Sequence, residues 1–214
     1  MFADRRSAGQ ALAKELEAYA SQSPLVVGLP RGGVPVAFEV AKALKAPLDV
    51  LMVRKVGAPG QPELAVAAVT EGNPPHLIQN RDIIAHLGVS DAYLESTAKD
   101  LLVSMGKRRA AMGAGTAPPD FKGRTVILVD DGIATGATMK AAIAAIKAQG
   151  ARHLCVAVPV APRETIAEMQ RLADNMVCLE VPDFFRAVGA HYLDFGQTST
   201  EDVAQFLAES RGMD

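Results

Sequence analysis

The chain has 214 residues, of which 49% are hydrophobic and 21% charged. This composition is typical of a globular protein and excludes a disordered one. A chain of this length buries roughly 70% of the surface of its unfolded form, which is enough for a stable core. Lysine and arginine number 22 and aspartate and glutamate 24, a net charge of −2, so charge gives no indication of a nucleic acid or an anionic membrane as a partner.

The cysteine count and the lengths of the apolar runs further restrict the class of protein. Cys155 and Cys178 are the two cysteines, too few for a disulfide framework or a structural zinc site, and their apolar neighbours predict buried thiols. The sequence has no run of 18 apolar residues, and residues 1–6 lack the apolar core of a signal peptide. We therefore predict a soluble, cytoplasmic protein with neither a membrane nor a nucleic acid as partner.

The first third of the chain alternates between helical and strand patterns. Hydrophobic spacing predicts, in chain order, a helix over 3–22, a strand over 25–27, a helix over 34–45 and strands over 47–53, 64–70 and 76–79. Two glycines and two prolines within residues 57–62 predict a loop there.

A long helical pattern over 81–112 follows, with a stripe of apolar side chains. At helical spacing this stripe predicts core packing, and a dimer face is the alternative. Its members are Leu94, Ala98, Leu101, Met105 and Met112.

The last hundred residues return to a regular alternation. After a linker loop over 113–119, the pattern predicts strands over 126–129, 153–158 and 176–181, with helices over 137–149, 163–172 and 201–209. Such alternation implies an α/β fold in which a parallel sheet carries helices on both faces. Ligands of these sheets bind beyond the carboxyl ends of the strands.

The most informative segment joins the strand at 126–129 to the next helix. Asp130 and Asp131 follow the strand directly, and a small-residue loop then leads into the helix, whose unpaired amides and positive dipole end suit a phosphate. Two carboxylates repel phosphate but can accept hydrogen bonds from vicinal hydroxyls or hold a divalent cation. A phosphate site beside a site for vicinal hydroxyls matches the chemical groups of a ribose 5-phosphate. A plain aspartate helix cap is the alternative, although a cap needs one carboxylate only.

A second glycine-rich turn follows the first predicted strand and includes Gly28, Arg31, Gly32 and Gly33. A strand-to-helix turn of this kind is again an anion site, and Arg31 adds a permanent charge with two-pronged geometry for phosphate oxygens. A tight structural turn is the alternative. The sequence has no Gly-x-x-x-x-Gly-Lys-Ser/Thr motif, and no Gly-x-Gly-x-x-Gly follows a predicted strand.

The segment over 126–139 resembles the signature by which type I phosphoribosyltransferases bind phosphoribosyl pyrophosphate (PRPP), and the likeness extends over roughly residues 24–195. The whole sequence is most similar to a bacterial group of predicted phosphoribosyltransferases without an assigned substrate. The resemblance implies the type I phosphoribosyltransferase fold in a single domain over 1–214, with a small hood region. Its core would cover about 24–70 and 120–182, a helical insert about 80–115 and a C-terminal hood segment about 182–214.

The same resemblance implies roles for individual residues. The 5-phosphate would bind at Ala134, Thr135, Gly136, Ala137 and Thr138, and pyrophosphate at Arg31, Gly32, Gly33 and Lys55. The catalytic group would be Asp130, Asp131 and Arg31, with both aspartates near a Mg²⁺ ion that PRPP itself carries. Adenine-specific members have Arg-Lys-x-x-Lys after the second strand, whereas the pair Arg54-Lys55 lacks the second lysine here. The following loop is a candidate lid.

Two similarities point to different acceptor bases, so the sequence leaves the identity of the acceptor open. Ala134 stands where 6-oxopurine members have an acid/base aspartate, which disfavours hypoxanthine and guanine. Residues 181–195 nevertheless resemble the base-binding segment of those members, which makes Phe184 and Phe185 candidates for stacking on a base. An extra residue between Gly189 and Leu193 interrupts that match, and packing of an aromatic-rich segment is the alternative.

The expected function is transfer of the 5-phosphoribosyl group from PRPP to a nitrogenous base or a related small nucleophile, with release of pyrophosphate. It would be a Mg²⁺-dependent step of nucleotide metabolism in a homodimeric enzyme. A non-catalytic regulator that senses PRPP and a hydrolase of activated ribose phosphates are the alternatives.

Overall fold

The computed structural model describes residues 1–212. It contains seven α-helices and eight strands, and two 3₁₀ turns lie at Glu17–Gln22 and Val188–His191. The helices are α1 (Arg5–Glu15), α2 (Gly33–Leu44), α3 (Arg81–Leu87), α4 (Asp91–Ala111), α5 (Ala137–Ala148), α6 (Arg163–Leu172) and α7 (Thr200–Arg211). The strands are β1 (Leu25–Gly28), β2 (Leu48–Val50), β3 (Val53–Ala58), β4 (Gln61–Thr70), β5 (His76–Gln79), β6 (Thr125–Val129), β7 (His153–Val160) and β8 (Asn175–Glu180).

The centre of the molecule is a five-stranded parallel sheet in the order β2-β1-β6-β7-β8. Its strands are apolar on both faces because helices cover both. Along β6, Val126 and Leu128 belong to one core cluster, and Ile127 and Val129 belong to the opposite one. The predicted α/β class is therefore confirmed.

A separate antiparallel sheet, β3-β4-β5, corrects the predicted loop over 57–62. Gly57 and Ala58 end β3, and Ala58 pairs with Gln61 at the start of β4, so residues 59 and 60 alone form the turn. A side chain on Gly57 would meet the backbone of Pro62 at 2.5 Å. The glycine is therefore what lets the hairpin close there, beside a shift in strand register that accommodates the proline.

Three other element boundaries differ from the predictions. The first helix ends at Glu15 and continues as a 3₁₀ turn. The predicted strand over 47–53 divides, because the chain leaves the parallel sheet after Val50 and enters the small sheet at Val53. The predicted helix over 81–112 is interrupted at Gly88, which ends α3 with a φ of 63°, and Ser90 then caps α4.

The apolar stripe of α4 packs inside its own chain. Leu94, Ala98, Met105 and Met112 are all buried, and Leu101 packs against the same clusters. The core-packing prediction is confirmed, and this stripe is not available as a dimer face. The homodimer itself stays a prediction, as does the assignment of a hood to 182–214, whose last two residues lie outside the described chain.

A buried charge cluster fastens the end of α4 to the strands. The side chain of Arg109 is 2% exposed and pairs with Asp49 at 2.6 Å and with Glu71 at 2.8 Å. It also donates to the carbonyl of Val50 at 2.9 Å, and Glu71 accepts from the amide of Met52 at 2.8 Å. The cluster therefore joins the helical insert to the point where the chain passes from β2 to β3.

The described residues also bear on the remaining predictions from composition. Both cysteines are free thiols; Cys155 is buried, as predicted, whereas Cys178 is only half-buried. Within residues 1–212, no helix has the length and apolarity needed to cross a bilayer.

Candidate functional site

The two predicted loops meet at the carboxyl ends of β1 and β6, which are neighbours in the sheet. A side chain on Gly33 would lie 2.8 Å from the carbonyl oxygen of Val129, and one on Gly32 would lie 2.1 Å from Oδ2 of Asp131. Only glycine allows this approach. The first loop is thus pressed against the acid pair, and the two segments form one site.

A cavity of about 420 Å³ opens between these loops. Arg31, Gly32, Asp130 and Asp131 line it together, and the Arg31 side chain is exposed. A guanidinium across from two carboxylates can hold an anionic group and a hydroxylated group side by side.

The loop before α5, residues 134–138, is a candidate anion-binding loop and is called the cradle. Gly136 has a φ of 74°, and the first helical hydrogen bond runs from the amide of Lys140 to its carbonyl at 2.8 Å. Within the described chain, no protein atom accepts a hydrogen bond from the amides of the cradle. They face no internal competitor, so they can bind a phosphate.

The cradle lines a second cavity of about 220 Å³, and Asp130 lines both cavities. If a ligand places one anionic group in each cavity, its middle portion would therefore lie next to Asp130. This arrangement suits a sugar that carries an anionic group at each end.

The two carboxylates are held differently. Oδ1 of Asp130 accepts from the amide of Asp131 at 2.9 Å, and Oδ2 of Asp131 accepts from Nε of Arg5 at 2.8 Å. Burial and the neighbouring Asp131 charge raise the pKa of Asp130 well above its ordinary value. Burial also raises the pKa of Asp131, although the guanidinium of Arg5 opposes that shift. The apo site thus disfavours two full negative charges, and a donor or a cation would relieve it.

Three residues of the site were missed from the sequence. Arg5 pairs with Asp131, Tyr192 donates its hydroxyl to the carbonyl oxygen of Asp131, and the ring of Phe195 lies 3.8 Å from Cζ of Arg5. Arg5 and Asp131 are 126 positions apart, so no local spacing indicates their contact. The aromatic-rich character of residues 184–195 was the one available signal for Tyr192 and Phe195.

Lys55 lies apart from Arg31. It is an exposed residue of β3 and lines a different cavity of about 510 Å³, together with Arg81 and Lys140. Its predicted contact with pyrophosphate stays a prediction.

The two candidate base-binding phenylalanines border a cavity of about 970 Å³, together with Ala134 and Thr135. Phe184 is 91% exposed, whereas Phe185 stacks on His191 with ring centres 5.7 Å apart. An acceptor in this cavity would lie beside the cradle. Their role as base-binding residues stays a prediction.

The carboxylates fit a magnesium ion only as part of a larger donor set. Asp130 and Asp131 offer the hard oxygen atoms that Mg²⁺ prefers, but among residues 1–212 no group of three or more histidine, cysteine, aspartate or glutamate side chains could hold a metal. Oxygen atoms of a phosphorylated ligand would supply the remaining donors for such an ion.

Fold and site together define an α/β protein with a candidate sugar-phosphate site at the carboxyl edge of its parallel sheet. The family model of the phosphoribosyl transferase domain matches residues 5–195. The chain belongs to this family, as its sequence motif predicted.

Relatives of the chain agree with that assignment. Proteins from two strains of Mycobacterium tuberculosis, both provisionally named phosphoribosyl transferases, are 44% identical over 207 residues. The match covers 97% of this chain and 46% of theirs, so the chain spans about half the length of these curated relatives. The crystal structure of TT1426 from Thermus thermophilus is similar over 98% of both chains, with 45% identity and a TM-score of 0.83.

Proposed function

We propose that this protein transfers the 5-phosphoribosyl group of PRPP to a small nucleophile, such as a nitrogenous base, and releases pyrophosphate. The observation that carries the proposal is that Asp130 lines two cavities, one of them lined also by the cradle and the other by Arg31. PRPP has the matching order of groups: a 5-phosphate, a ribose with two hydroxyls and a pyrophosphate.

On this proposal each part of the site binds one part of PRPP. The amides and hydroxyls of residues 134–138 bind the 5-phosphate. Asp130 and Asp131 accept hydrogen bonds from the ribose hydroxyls. Arg31 and the backbone of Gly32 and Gly33 bind the pyrophosphate, which the close approach of these glycines to the acid pair brings next to the ribose.

The reaction breaks the bond between the anomeric carbon and a pyrophosphate oxygen, which keeps the electron pair, and forms a bond from that carbon to the nucleophile. Negative charge grows on the leaving group and positive charge on the ribose. Arg31 stabilises the first and the two aspartates lie near the second, so the protein acts mainly by preorganised electrostatics.

Magnesium would neutralise part of the pyrophosphate charge when bound, with Asp130 and Asp131 near it and the oxygens of PRPP as its main donors. The acceptor would occupy the large cavity beside Ala134, where Phe184 can stack on a planar ring. Because Ala134 cannot transfer a proton, the proton of the nucleophile would leave to solvent or to another group.

The test is incubation of the protein with PRPP, Mg²⁺ and a panel of bases, with pyrophosphate release as the readout. Release that depends on one base supports the proposal. Release without any base would indicate a hydrolase, and PRPP binding without release would indicate a sensing protein. Either outcome contradicts transferase function.

Two variants test whether PRPP binds at this site. The double substitution Asp130→Asn with Asp131→Asn should abolish PRPP binding in calorimetry. Glu168→Gln, on the exposed face of α6 where Glu168 pairs with Lys140, is the control and should bind normally. Normal affinity in the double variant would contradict the assignment of the diol site.

A further inference from the structure

Arg5 brings the first turn of α1 into the site. Its Nε atom donates to Oδ2 of Asp131 at 2.8 Å, and the two side chains are only 12% and 14% exposed. The next residue, Arg6, is 51% exposed and pairs instead with Glu39 of α2. Two adjacent arginines of one helix therefore serve different surroundings, and only the first contacts the acid pair.

The guanidinium of Arg5 is itself held on three sides. Besides Asp131, its Nη1 atom donates to the carbonyl of Gly196 at 2.7 Å, and its Cζ atom lies 3.8 Å from the centre of the Phe195 ring. A guanidinium is planar and rigid, so these contacts fix its orientation as well as its position. The Asp131 carboxylate is thus oriented by a group that cannot easily turn.

This contact engages Oδ2 of Asp131, and the same residue lines the cavity in which a ligand would bind. The backbone of the same residue is fixed by the hydroxyl of Tyr192, which donates to its carbonyl oxygen. Arg5 also lines the cavity shared by Arg31, Asp130 and Asp131, and its charge offsets the repulsion between the two neighbouring carboxylates.

We infer that Arg5 is a positioning residue for sugar recognition: it holds the Asp131 carboxylate in the orientation that accepts the vicinal hydroxyls of a ribose phosphate. The inference rests on the proposed function, because it assumes that Asp131 binds the ribose. It makes α1 a part of the donor site, although α1 lies far from the signature segment in the sequence.

The test compares wild type, Arg5→Ala, Arg5→Lys and the matched control Arg6→Ala by calorimetry with three ligands: PRPP, ribose 5-phosphate and pyrophosphate, each with Mg²⁺. Residues that orient the ligands of a bound metal are typically worth about 10- to 100-fold in metal affinity, and we expect an effect of the same order for Arg5. Arg5→Ala should lose about that much for PRPP and ribose 5-phosphate, while pyrophosphate affinity stays unchanged. Arg5→Lys should recover part of the loss, and Arg6→Ala should bind PRPP like wild type.

Three results would overturn the inference. Unchanged PRPP affinity in Arg5→Ala would remove Arg5 from the site, and an equal loss for pyrophosphate would mean direct anion binding. Tighter PRPP binding would mean that Arg5 competes with the sugar. If wild type binds none of the three ligands, the proposed function fails as well, whereas wild-type binding with an unaffected Arg5→Ala refutes only the role of Arg5. If Arg5→Ala does not fold, Arg5→Lys carries the same ligand comparison.

Discussion

At the scale of single residues, the site combines one exposed cation with two partly buried acids. Arg31 lies at the edge of the cavity that Asp130 and Asp131 also line. The exposed guanidinium of Arg31 can meet the growing charge of a leaving group, whereas the acids are held by Arg5 and by the backbone. This difference in setting leads to a prediction for Arg31.

Replacing Arg31 with alanine should lower turnover by roughly 10²-fold or more. A preorganised donor to a developing anion is worth about 3–4 kcal/mol, and each 1.4 kcal/mol corresponds to about tenfold in rate. The measurement is steady-state pyrophosphate release with whichever base supports release in the panel of bases. Arg171→Ala, at the exposed far end of α6, is the matched control, and an unchanged rate in Arg31→Ala would exclude Arg31 from the mechanism.

Cys178 should react slowly with iodoacetamide in the native protein. Burial raises the pKa of the Cys178 thiol from 9.0 to about 11. The reactive thiolate is therefore roughly a hundredfold scarcer at pH 8 than in an ordinary thiol, and reactivity should keep rising up to about pH 11.

Mass spectrometry of the labelled peptide measures this rate, with the urea-unfolded protein as the reference. If the labelling rate of Cys178 at pH 8 in the native protein is within about threefold of the rate in the unfolded protein, partial burial does not raise the pKa of this thiol.

At the scale of elements, the strand-to-helix units that carry the site could be predicted from the sequence. The apolar run of β6, the acids that follow it and the small residues before α5 each leave a local signal, because a buried parallel strand and a helix start have their own residue patterns. The same holds for β1 and the glycines before α2.

Features that depend on distant contacts could not be predicted. The hairpin of β3 and β4 was missed because Gly57 and Pro62 normally indicate a loop, and only the opposite strand shows why they are tolerated. Arg5 was missed because its partner is fixed by tertiary packing, as was the partner set of Arg109. Nothing near either arginine in the sequence marks the acids that they contact.

The Arg109 cluster should contribute strongly to the attachment of α4. Arg109→Ala would leave Asp49 and Glu71 without their common partner in a buried setting, and breaking a buried pair in this way typically costs about 3–5 kcal/mol. Urea unfolding measures the loss of free energy of unfolding.

The neighbouring Arg108 offers a matched control for that experiment, because it is exposed on the same helix turn. Arg108→Ala should change the free energy of unfolding by less than about 0.5 kcal/mol. A loss below about 1 kcal/mol in Arg109→Ala would mean that the cluster is not a structural anchor.

At the scale of the whole molecule, the site joins segments from most of the chain. The N-terminal residues pair with the C-terminal segment, since Phe2 bridges to Tyr192 and donates to the carbonyl of His191 at 2.8 Å. Both segments meet the loops of β1 and β6 around Asp131. A ligand bound there should therefore stabilise the fold as a unit.

PRPP with Mg²⁺ should raise the melting temperature of the protein. At a hundred times the dissociation constant, a ligand that binds only the folded state adds about 2.7 kcal/mol, which corresponds to roughly 5 to 10 °C for a chain of this size. Differential scanning calorimetry measures the shift. The double variant Asp130→Asn with Asp131→Asn should show none, and an equal shift in that variant would indicate binding elsewhere.

The close packing of Gly32 and Gly33 against Asp130 and Asp131 has an evolutionary consequence. On the proposed function, the donor is bound largely by main-chain atoms beside glycines that no other residue can replace, whereas the cavity beside Phe184 is lined mostly by exposed side chains. Evolution could thus change the acceptor specificity through a few surface substitutions, while the loops that bind PRPP stay the same.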